Sequence, residues 1–440
     1  MIRLLSLFSG IGAFESALRR GGYQFETVNY CEIDPYAAKA YSQIHDIPEE
    51  KNLHDVRVVN PLLLDNINLV TFGFPCQDIS VAGKQKGFEH DGERTRSGLF
   101  FEALRIIQFL QPEYAICENV KALTSKKFTA EFQTVLSGLS EAGYNNYWEV
   151  LNAKDYGIPQ NRERIFIISI RKDIDTGTFT FPEKQPLRLC VKDMLESEVD
   201  EKFYINSDRA KKLIEKITTT PEIVGGGTEN RIKTIGHLGT GGQKGWVFNA
   251  NGISRCLAAT DYKDPTKIVE TRTMIEITEP VICASRGRNT DNPSDRTTGI
   301  STEQRLELKN DGISNTLTTV QKDNLIIEPL KIMQVGNIVD NKNFENPQRG
   351  RIYSPEGLSP ALNTVPGGGL EPKFIEKRVE YRIRKLTPRE CFRLMGFTDA
   401  DFDKIHSISN TQLYKMAGNS IVVNVLEAIF KQLFKETNKE

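Results

Sequence analysis

The stretch Phe8-Ser9-Gly10-Ile11-Gly12-Ala13-Phe14 decides the fold. It follows an apolar segment, residues 2–8, that predicts a buried strand. It leads into a predicted helix through residues 15–18 that stops at Gly21-Gly22. A strand, a G-x-G turn and a helix form the setting in which a ligand can approach the backbone closely. The segment therefore predicts either a ligand-binding turn or, as the alternative, a plain tight turn.

An acidic residue follows the next predicted strand. This strand, Thr27 to Cys31, ends in Glu32, about twenty residues after the glycines. A carboxylate at that place is suited to hold ribose hydroxyls. Enzymes that use NAD and enzymes that use S-adenosylmethionine (AdoMet) share this much of the pattern, so the motif does not choose between them.

A cysteine stands at the end of a third predicted strand. Gly73-Phe74-Pro75-Cys76-Gln77 follows the short apolar run Leu69 to Phe72. Ligands bind at the carboxyl ends of strands in open α/β sheets. Pro75 fixes its own φ and favours an extended Phe74, so the thiol is presented on a stiff turn. The alternative is a small cysteine buried beside a loop.

Strands and helices continue to alternate, which predicts an α/β fold with a Rossmann-like, doubly wound and mostly parallel sheet. Glu118 follows the predicted strand Tyr114 to Cys117, so Glu32, Cys76 and Glu118 should face one edge of the sheet. The segment from residue 83 to residue 98 is glycine-rich and charged, and it predicts either a lid or a solvated loop. Further predicted helices and strands cover Pro35–Ile44, Ser97–Leu110, Lys127–Ala142, Tyr147–Leu151 and Arg164–Ile170.

Composition narrows the class of protein. A length of 440 residues predicts two domains, with 39% hydrophobic and 26% charged residues as in ordinary globular proteins. No apolar run reaches the ~18 residues that would predict a membrane span. Seven cysteines without a CxxC pair predict a reducing cytoplasm, and five scattered histidines predict no metal site. A net charge of −1 leaves nucleic-acid binding to local patches.

The pattern changes after residue 185. A predicted helix near Asp208 to Ile217 leads into glycine-, threonine- and asparagine-rich sequence with a weak internal repeat. Its copies are residues 248–260, 310–319 and 353–364, each a predicted turn that leads into a short strand. Scattered arginines and lysines suit a surface that reads nucleic acid. The alternative is a generic β-rich insertion with solvated charges.

The carboxyl-terminal part returns to helices. Thr387-Pro388-Arg389-Glu390 predicts a capping box, and residues 417–420 predict the start of a last amphipathic helix. We therefore predict a catalytic domain at 1–185, a second domain at 186–385 and carboxyl-terminal helices at 386–440.

Taken together, the motifs resemble those of the carbon-5 cytosine-specific DNA methyltransferases, in that family's order. The resemblance covers nearly the whole chain outside the middle region. Ala13 departs from the family's frequent third glycine, and residues 90–96 form a longer lid segment than is common. The matching motifs are 8–12, Glu32, Asp55, 73–77, 118–120, 160–164, 389–394 and 418–420.

The resemblance implies roles for individual residues. It implies a catalytic site of Cys76 as nucleophile, Glu118 as active-site acid, Arg164 at the target base and Arg162 near the lid or a phosphate. AdoMet, as methyl donor, would contact the residues Phe8, Gly10, Gly12, Glu32, Asp55, Pro75 and Asn419.

The resemblance also implies the substrate. The middle region becomes a target-recognition domain for double-stranded DNA, serving restriction–modification or phage self-protection. Its repeats predict either several specificities or one enlarged reader. We expect a cytoplasmic monomer with no membrane contact and no metal, and with no bound restriction endonuclease. The alternatives are an RNA cytosine methyltransferase, a dinucleotide-dependent oxidoreductase and an inactive DNA-binding regulator.

Overall fold

The computed structural model describes residues 1–75, 88–90, 93–94, 96–219, 230–239, 245–273, 281–288, 303–308, 325–327, 334–337, 351–353 and 379–435. Cys76, half of the predicted lid, and the second and third repeat copies apart from Tyr353 lie outside these residues. The chain divides into two compact units, Met1–Glu270 with Tyr381–Glu440, and Thr271–Glu380. The domain boundaries that we predict at 185 and 385 stay predictions.

The helices and strands follow one another along the described chain. They are β1 (Ile2–Leu7), α1 (Ala13–Arg20), β2 (Phe25–Cys31), α2 (Pro35–His45), β3 (Leu69–Phe72), β4 (Glu89–His90), β5 (Glu93–Arg94), α3 (Phe100–Leu110), β6 (Tyr114–Val120), α4 (Thr129–Glu141), β7 (Tyr144–Asn152), β8 (Gln160–Asn161), β9 (Glu163–Arg171), α5 (Asp208–Thr219), β10 (Thr234–His237), β11 (Trp246–Asn249), β12 (Ser254–Arg255), β13 (Lys267–Thr273), β14 (Val281–Arg288), β15 (Glu303–Leu308), β16 (Leu325–Ile327), β17 (Gln334–Asn337), β18 (Arg351–Tyr353), β19 (Val379–Lys385), α6 (Pro388–Arg393), α7 (Asp399–Asp403), α8 (Asn410–Asn419) and α9 (Val423–Leu433).

A six-stranded sheet in the order β2-β1-β3-β6-β9-β7 forms the centre of the first unit. β1 pairs in parallel with β2 and β3, and β3 pairs in parallel with β6. β9 is antiparallel to both β6 and β7. The link from β7 to β9 is too short to hold a crossover helix, which explains the antiparallel pairing of these two strands. The predicted doubly wound, mostly parallel sheet is confirmed.

The two faces of this sheet each carry a hydrophobic core. Leu69 and Ile116 face the core that also contains Phe14 of α1 and Phe430 of α9. Val70 and Ala115, their neighbours in the chain, face the opposite core, which includes side chains of α3 and α4. Side chains alternate between the faces of a strand, so a strand covered on both sides is apolar throughout. That rule explains why β3 is a continuous apolar run.

Strand register brings the predicted functional residues to one edge. Leu7 lies opposite both Cys31 and Phe72, and Phe72 lies opposite Cys117. The next residue of each strand therefore continues the same row, which consists of Phe8, Glu32, Gly73 and Glu118. The parallel pairing confirms that these residues lie at one edge of the sheet. The prediction that Glu118 follows the end of its strand is wrong, because β6 continues to Val120 through its pairing with β9.

A second sheet in the first unit has the order β10-β11-β13-β19 and packs with α5 around Val247 and Ile383. In the second unit, β14 pairs in antiparallel fashion with β15 and β16, and β17 pairs with β18. None of the helices in the described part of the chain is long and apolar enough to cross a membrane.

The carboxyl-terminal helices confirm one prediction and correct another. Thr387 and Glu390 form the predicted capping box, in which the Thr387 N–H donates to Glu390 Oε2 at 2.8 Å. The prediction that the last helix begins at residue 417 is wrong. Residues 417–419 end α8, and Ser420 is extended at φ −70° and ψ 165°, so α9 begins only at Val423. α9 then packs against α1 through Phe430 and Phe14, whose ring centroids are 6.4 Å apart.

Candidate active site

The glycine loop after β1 and the acid after β2 are bonded to each other. Phe8, Gly10 and Gly12 all have positive φ, at 53°, 56° and 78°. The Gly10 N–H donates to Glu32 Oε2 at 2.8 Å, and the Asp34 N–H donates to Glu32 Oε1 at 2.8 Å. Open space lies beside Gly10, where a Cβ would meet no atom within 4 Å. The left-handed loop therefore leaves room for a ligand next to a fixed carboxylate.

The Glu32 carboxylate suits a ribose. Burial raises its pKa, while the N–H groups of Asp34 and Gly10 act in the opposite direction. Each carboxylate oxygen has two lone pairs and accepts one backbone hydrogen bond, so each can accept another from a ribose hydroxyl. The residues at the edge of the sheet thus fit the nucleoside part of AdoMet.

Gly12 is confined by a neighbouring histidine, which leads to a first prediction. A Cβ on Gly12 would lie 2.0 Å from His45 Nε2, and this ring nitrogen lies 3.0 Å from the Ile11 carbonyl oxygen. Gly12→Ala must therefore displace His45 and also hold alanine at positive φ, which costs about 1–2 kcal/mol. We expect AdoMet to bind at least ~10-fold more weakly, as measured by isothermal titration calorimetry.

Gly22 supplies a matched control for this prediction. It also has positive φ, 73°, but a Cβ there would meet no atom within 4 Å. Gly22→Ala is expected to bind AdoMet with wild-type affinity. Equal affinities for the two variants would contradict the role of the Gly12 loop.

The other predicted cofactor residues have different surroundings. Asp55 caps a short 3-10 turn and pairs with Arg57, so part of its hydrogen-bonding capacity is already used. Asn419 is exposed at the last position of α8, and Pro75 is half-buried. The contacts that we predict between these residues and AdoMet stay predictions.

A side chain of β6 holds the turn that leads to Cys76. Asn119 Nδ2 donates to the Phe74 carbonyl at 3.2 Å, and Phe74 is buried against Phe88 and Phe100. Phe74 and Pro75 are thus anchored directly before the residue that we predict to be the nucleophile. Cys76 itself lies outside the described residues.

Glu118 and Arg164 form an ion pair beside this turn. Arg164 Nε lies 3.1 Å from Glu118 Oε1, and the two side chains are 17% and 12% exposed. A Cβ built on Gly73 would lie 3.5 Å from Glu118 Oε2, which shows how closely the turn approaches the carboxylate. Burial raises the pKa of Glu118, and the nearby Arg164 and Arg162 only partly oppose it. The carboxyl group can therefore hold a proton to a higher pH than an exposed glutamate.

Arg162 links three segments of the chain through main-chain carbonyl groups. Its Nη1 donates to the Leu257 carbonyl at 2.9 Å, and its Nη2 donates to the carbonyls of Gly418 and Ser420. The side chain is buried, so these contacts compensate for part of its desolvation. The predicted role at the lid or a phosphate stays a prediction. The described contacts give Arg162 a structural role.

Gly418 lies against the backbone of this junction, which leads to a second prediction. A Cβ on Gly418 would lie 2.2 Å from the Ala258 carbonyl carbon and 2.3 Å from its oxygen. Backbone atoms cannot move aside like the end of a side chain. We therefore expect Gly418→Ala to lower the free energy of unfolding by about 1–3 kcal/mol, measured by urea denaturation, and to lower methylation.

Gly138, also helical, is the control for this substitution. A Cβ there would meet the Leu104 side chain at 2.8 Å, and that flexible group can rotate away. Gly138→Ala is expected to leave the free energy of unfolding nearly unchanged. Alanine favours a helix by about 1 kcal/mol over glycine, which offsets the cost of moving the Leu104 side chain. A Gly418→Ala protein as stable as wild type would show that the junction tolerates a side chain.

Two buried amide side chains make contacts that the sequence did not predict. Gln160 Nε2 donates to the Leu394 carbonyl at 2.8 Å, while its Oε1 accepts from the Leu257 N–H at 3.2 Å. Asn119 holds the Phe74 turn, as described above. Both residues lie inside motifs of the sequence, but their partners are distant in the chain, and no local pattern identifies them.

Comparisons with known proteins identify the family. Residues 2–435 match the family model of the C-5 cytosine-specific DNA methylases. The orphan methyltransferase M.SPRI of Bacillus phage SPR is 34% identical, with 100% of this chain and 99% of that protein covered. The type II methyltransferase M.HhaI of Haemophilus parahaemolyticus is 29% identical over 97% and 93% of the two chains.

A solved structure agrees on the fold. The methyltransferase EhMeth of Entamoeba histolytica matches with a TM-score of 0.57 and 15% identity, over 100% of this chain and 99% of that one. The resemblance predicted from the motifs is thus confirmed. The chain belongs to the C-5 cytosine-specific DNA methylases, which makes it a DNA (cytosine-5) methyltransferase.

Proposed function

We propose that the chain methylates carbon 5 of a flipped-out cytosine in a specific short duplex sequence, through a covalent adduct with Cys76. The observation that carries this proposal is the partly buried Glu118–Arg164 pair beside the anchored turn that precedes Cys76. A nucleophile, an acid and a cation at one sheet edge provide the groups that attack on a pyrimidine requires.

The chemistry explains the choice of a thiol. Carbon 5 of cytosine is a poor nucleophile until the Cys76 thiolate adds to carbon 6 and forms a carbon–sulfur bond. The resulting enamine can take the electrophilic methyl group that the sulfonium of AdoMet supplies. Loss of the carbon 5 proton then expels the thiolate and restores the ring. A base stacked in duplex DNA cannot be attacked from either face, so it must first flip out.

Glu118 and Arg164 act on the polar edge of the base. Charge develops at N3 of cytosine during attack at carbon 6, and the Glu118 carboxyl group holds or donates a proton there. Its raised pKa favours this role. Arg164 orients the ring through O2, since its guanidinium already lies against Glu118.

The proposal also covers the cofactor and the partners. We assign the ribose of AdoMet to Glu32, the adenine amino group to Asp55 and further contacts to the residues Phe8, Gly10, Gly12, Pro75 and Asn419. Double-stranded DNA is the substrate, and the protein acts as a cytoplasmic monomer without a bound endonuclease. The role is either restriction–modification or phage self-protection, and the relatives, an orphan methyltransferase of Bacillus phage SPR and a type II methyltransferase of Haemophilus parahaemolyticus, are compatible with both.

Sequencing of methylated positions in DNA from an expressing cell tests the proposal. We expect 5-methylcytosine at every copy of one or a few short sequences and at no other cytosines. Purified protein should methylate duplex DNA and leave transfer RNA unmodified. Methylation of transfer RNA without methylation of DNA would favour the RNA alternative instead.

A further inference from the structure

A second cysteine lies at the active site. Cys256 Sγ is 3.4 Å from Arg162 Nη1 and 3.9 Å from Arg164 Nη2. Cys256 directly follows β12, which pairs in parallel with β8, so strand pairing carries its sulfur to the two arginines. The side chain is half-buried, in contrast to the buried Cys117 in β6. Cys256 is absent from the family motifs that the sequence suggests.

The Arg164 guanidinium is held through each of its nitrogen atoms. Its Nε faces Glu118 at 3.1 Å, and its Nη1 donates to the Glu163 carbonyl at 2.8 Å. Its Nη2 faces Cys256 Sγ at 3.9 Å. The Glu163 contact lies within the same strand, so it moves with Arg164. Glu118 and Cys256 are therefore two side chains that help to hold the guanidinium in its orientation.

We propose that Cys256 is a positioning residue for methyl transfer: its sulfur accepts hydrogen bonds from Arg162 and Arg164 and holds the Arg164 guanidinium against Glu118. This inference rests on the proposed role of Arg164 at the target base. It goes beyond that role, because it assigns the orientation of the arginine to a thiol.

Charge in the cluster supports the assignment. Two guanidinium groups lie beside one carboxyl group, Glu118, so the Cys256 sulfur, whose thiol form donates to the Leu257 carbonyl at 3.4 Å, faces an excess of positive charge that favours its thiolate form. Burial alone would raise the pKa of Cys256, but Arg162 and Arg164 outweigh it and the pKa is lowered. On its own segment Arg255 is already paired with Asp261 at 2.9 Å.

Other thiols behave in the opposite way. Burial raises the pKa of Cys31, Cys117 and Cys391, and none of these has a guanidinium within hydrogen-bonding distance in the described contacts. Cys256 therefore differs from these three thiols in two ways, because it is half-buried and its pKa is lowered. In the second and third copies of the internal repeat, the position that corresponds to Cys256 holds Thr316 and Ala361. Threonine and alanine are therefore suitable replacements for Cys256.

Thiol labelling tests the electrostatic part of the proposal. The Cys76→Ser protein, which lacks the other candidate nucleophile, is treated with iodoacetamide, from which a thiolate displaces iodide and forms a thioether. Mass spectrometry follows the Cys256 peptide as a function of pH. We expect a labelling midpoint below the ~8.5 of a free thiol, and a higher midpoint when Arg164→Gln is added. A midpoint at or above ~8.5 that ignores Arg164→Gln would overturn the proposal.

Kinetics test the positioning part. We expect Cys256→Ala to lower kcat about tenfold, the cost of losing one hydrogen bond to a charged group, with the KM for AdoMet unchanged. Cys256→Thr should keep more activity than Cys256→Ala, because a hydroxyl can still accept a hydrogen bond. A role in folding alone would change the urea midpoint and leave kcat unaltered.

The two experiments separate this proposal from the proposed function. Labelling does not depend on methylation, and the kinetic comparison uses Cys76 unaltered. Wild-type kcat in both Cys256 variants would overturn the positioning role and leave the assignment of Cys76 intact. Full activity of Cys76→Ser, with loss of activity in Cys256→Ala, would overturn both the nucleophile assignment and the positioning role, because Cys256 would then be the nucleophile.

Discussion

The Cys76→Ser variant is expected to lose methylation almost completely while it binds AdoMet with wild-type affinity. A thiol with a pKa of ~8.5 is already a few per cent thiolate at neutral pH, whereas a serine hydroxyl ionises far less readily. Addition to carbon 6 should therefore fail, but the residues around Glu32 that we assign to AdoMet are untouched. The measurements are methyl incorporation into duplex DNA and calorimetric binding of AdoMet.

Cys190→Ser is the matched control. The Cys190 thiol donates to Asp193 Oδ2 at 3.3 Å, a contact that a serine hydroxyl can also make. This variant should methylate DNA at nearly the wild-type rate. If Cys76→Ser retained a comparable rate, Cys76 would not be the nucleophile, and the covalent route would have to be abandoned.

Glu118→Gln is the second substitution with a large expected effect. General acid–base groups contribute about 10²–10⁴-fold to rates, and we expect kcat to fall by that factor. The amide keeps the size of the side chain but cannot transfer the carboxyl proton to N3. The affinity for AdoMet should stay unchanged. Single-turnover methylation of duplex DNA measures the effect without a contribution from product release.

The pH dependence gives this prediction a sign. The pKa of Glu118 is raised by burial, and Arg164 and Arg162 reduce the shift without cancelling it. The carboxyl proton is therefore present below that raised pKa and is lost as the pH rises through it. Wild-type kcat should therefore decrease as the pH rises through this pKa. The pH profile of Glu118→Gln should lack this decrease.

Glu163→Gln separates catalysis from a general change of charge. Glu163 is 42% exposed and pairs with Lys121 at the surface. Exposed pairs contribute about 0–1 kcal/mol to stability, so this variant should stay within about twofold of wild type. A Glu118→Gln enzyme that behaved like Glu163→Gln would contradict the acid role.

Local patterns in the sequence predict much of the fold. Several features depend on neighbours in the chain: the strand, glycine turn and helix around Gly10, the strand that ends before Glu32, the strand that carries Glu118, and the capping box at Thr387. Short-range geometry and hydrophobic periodicity determine such features. For that reason the amino-acid sequence alone predicts the edge of the sheet on which the site lies.

Contacts between distant segments could not be predicted. Arg162 binds carbonyl groups 95 and 256 residues away, at Leu257 and Gly418. The end of α8 lies at the same junction, where the Gly418 and Ser420 carbonyls accept from Arg162 and a Cβ on Gly418 would meet Ala258. Cys256 also reaches the active site only through the pairing of β12 with β8. None of these contacts has a local signature.

Trapping of the covalent adduct tests the central claim most directly. A duplex that carries 5-fluorocytosine at the mapped target position is incubated with the protein and AdoMet. Fluorine at carbon 5 cannot leave as a proton, so the final elimination cannot release the enzyme. We predict a denaturation-resistant complex whose peptide map places the methylated nucleotide on Cys76. The absence of a complex, or an adduct on another cysteine such as Cys256, would contradict the assignment.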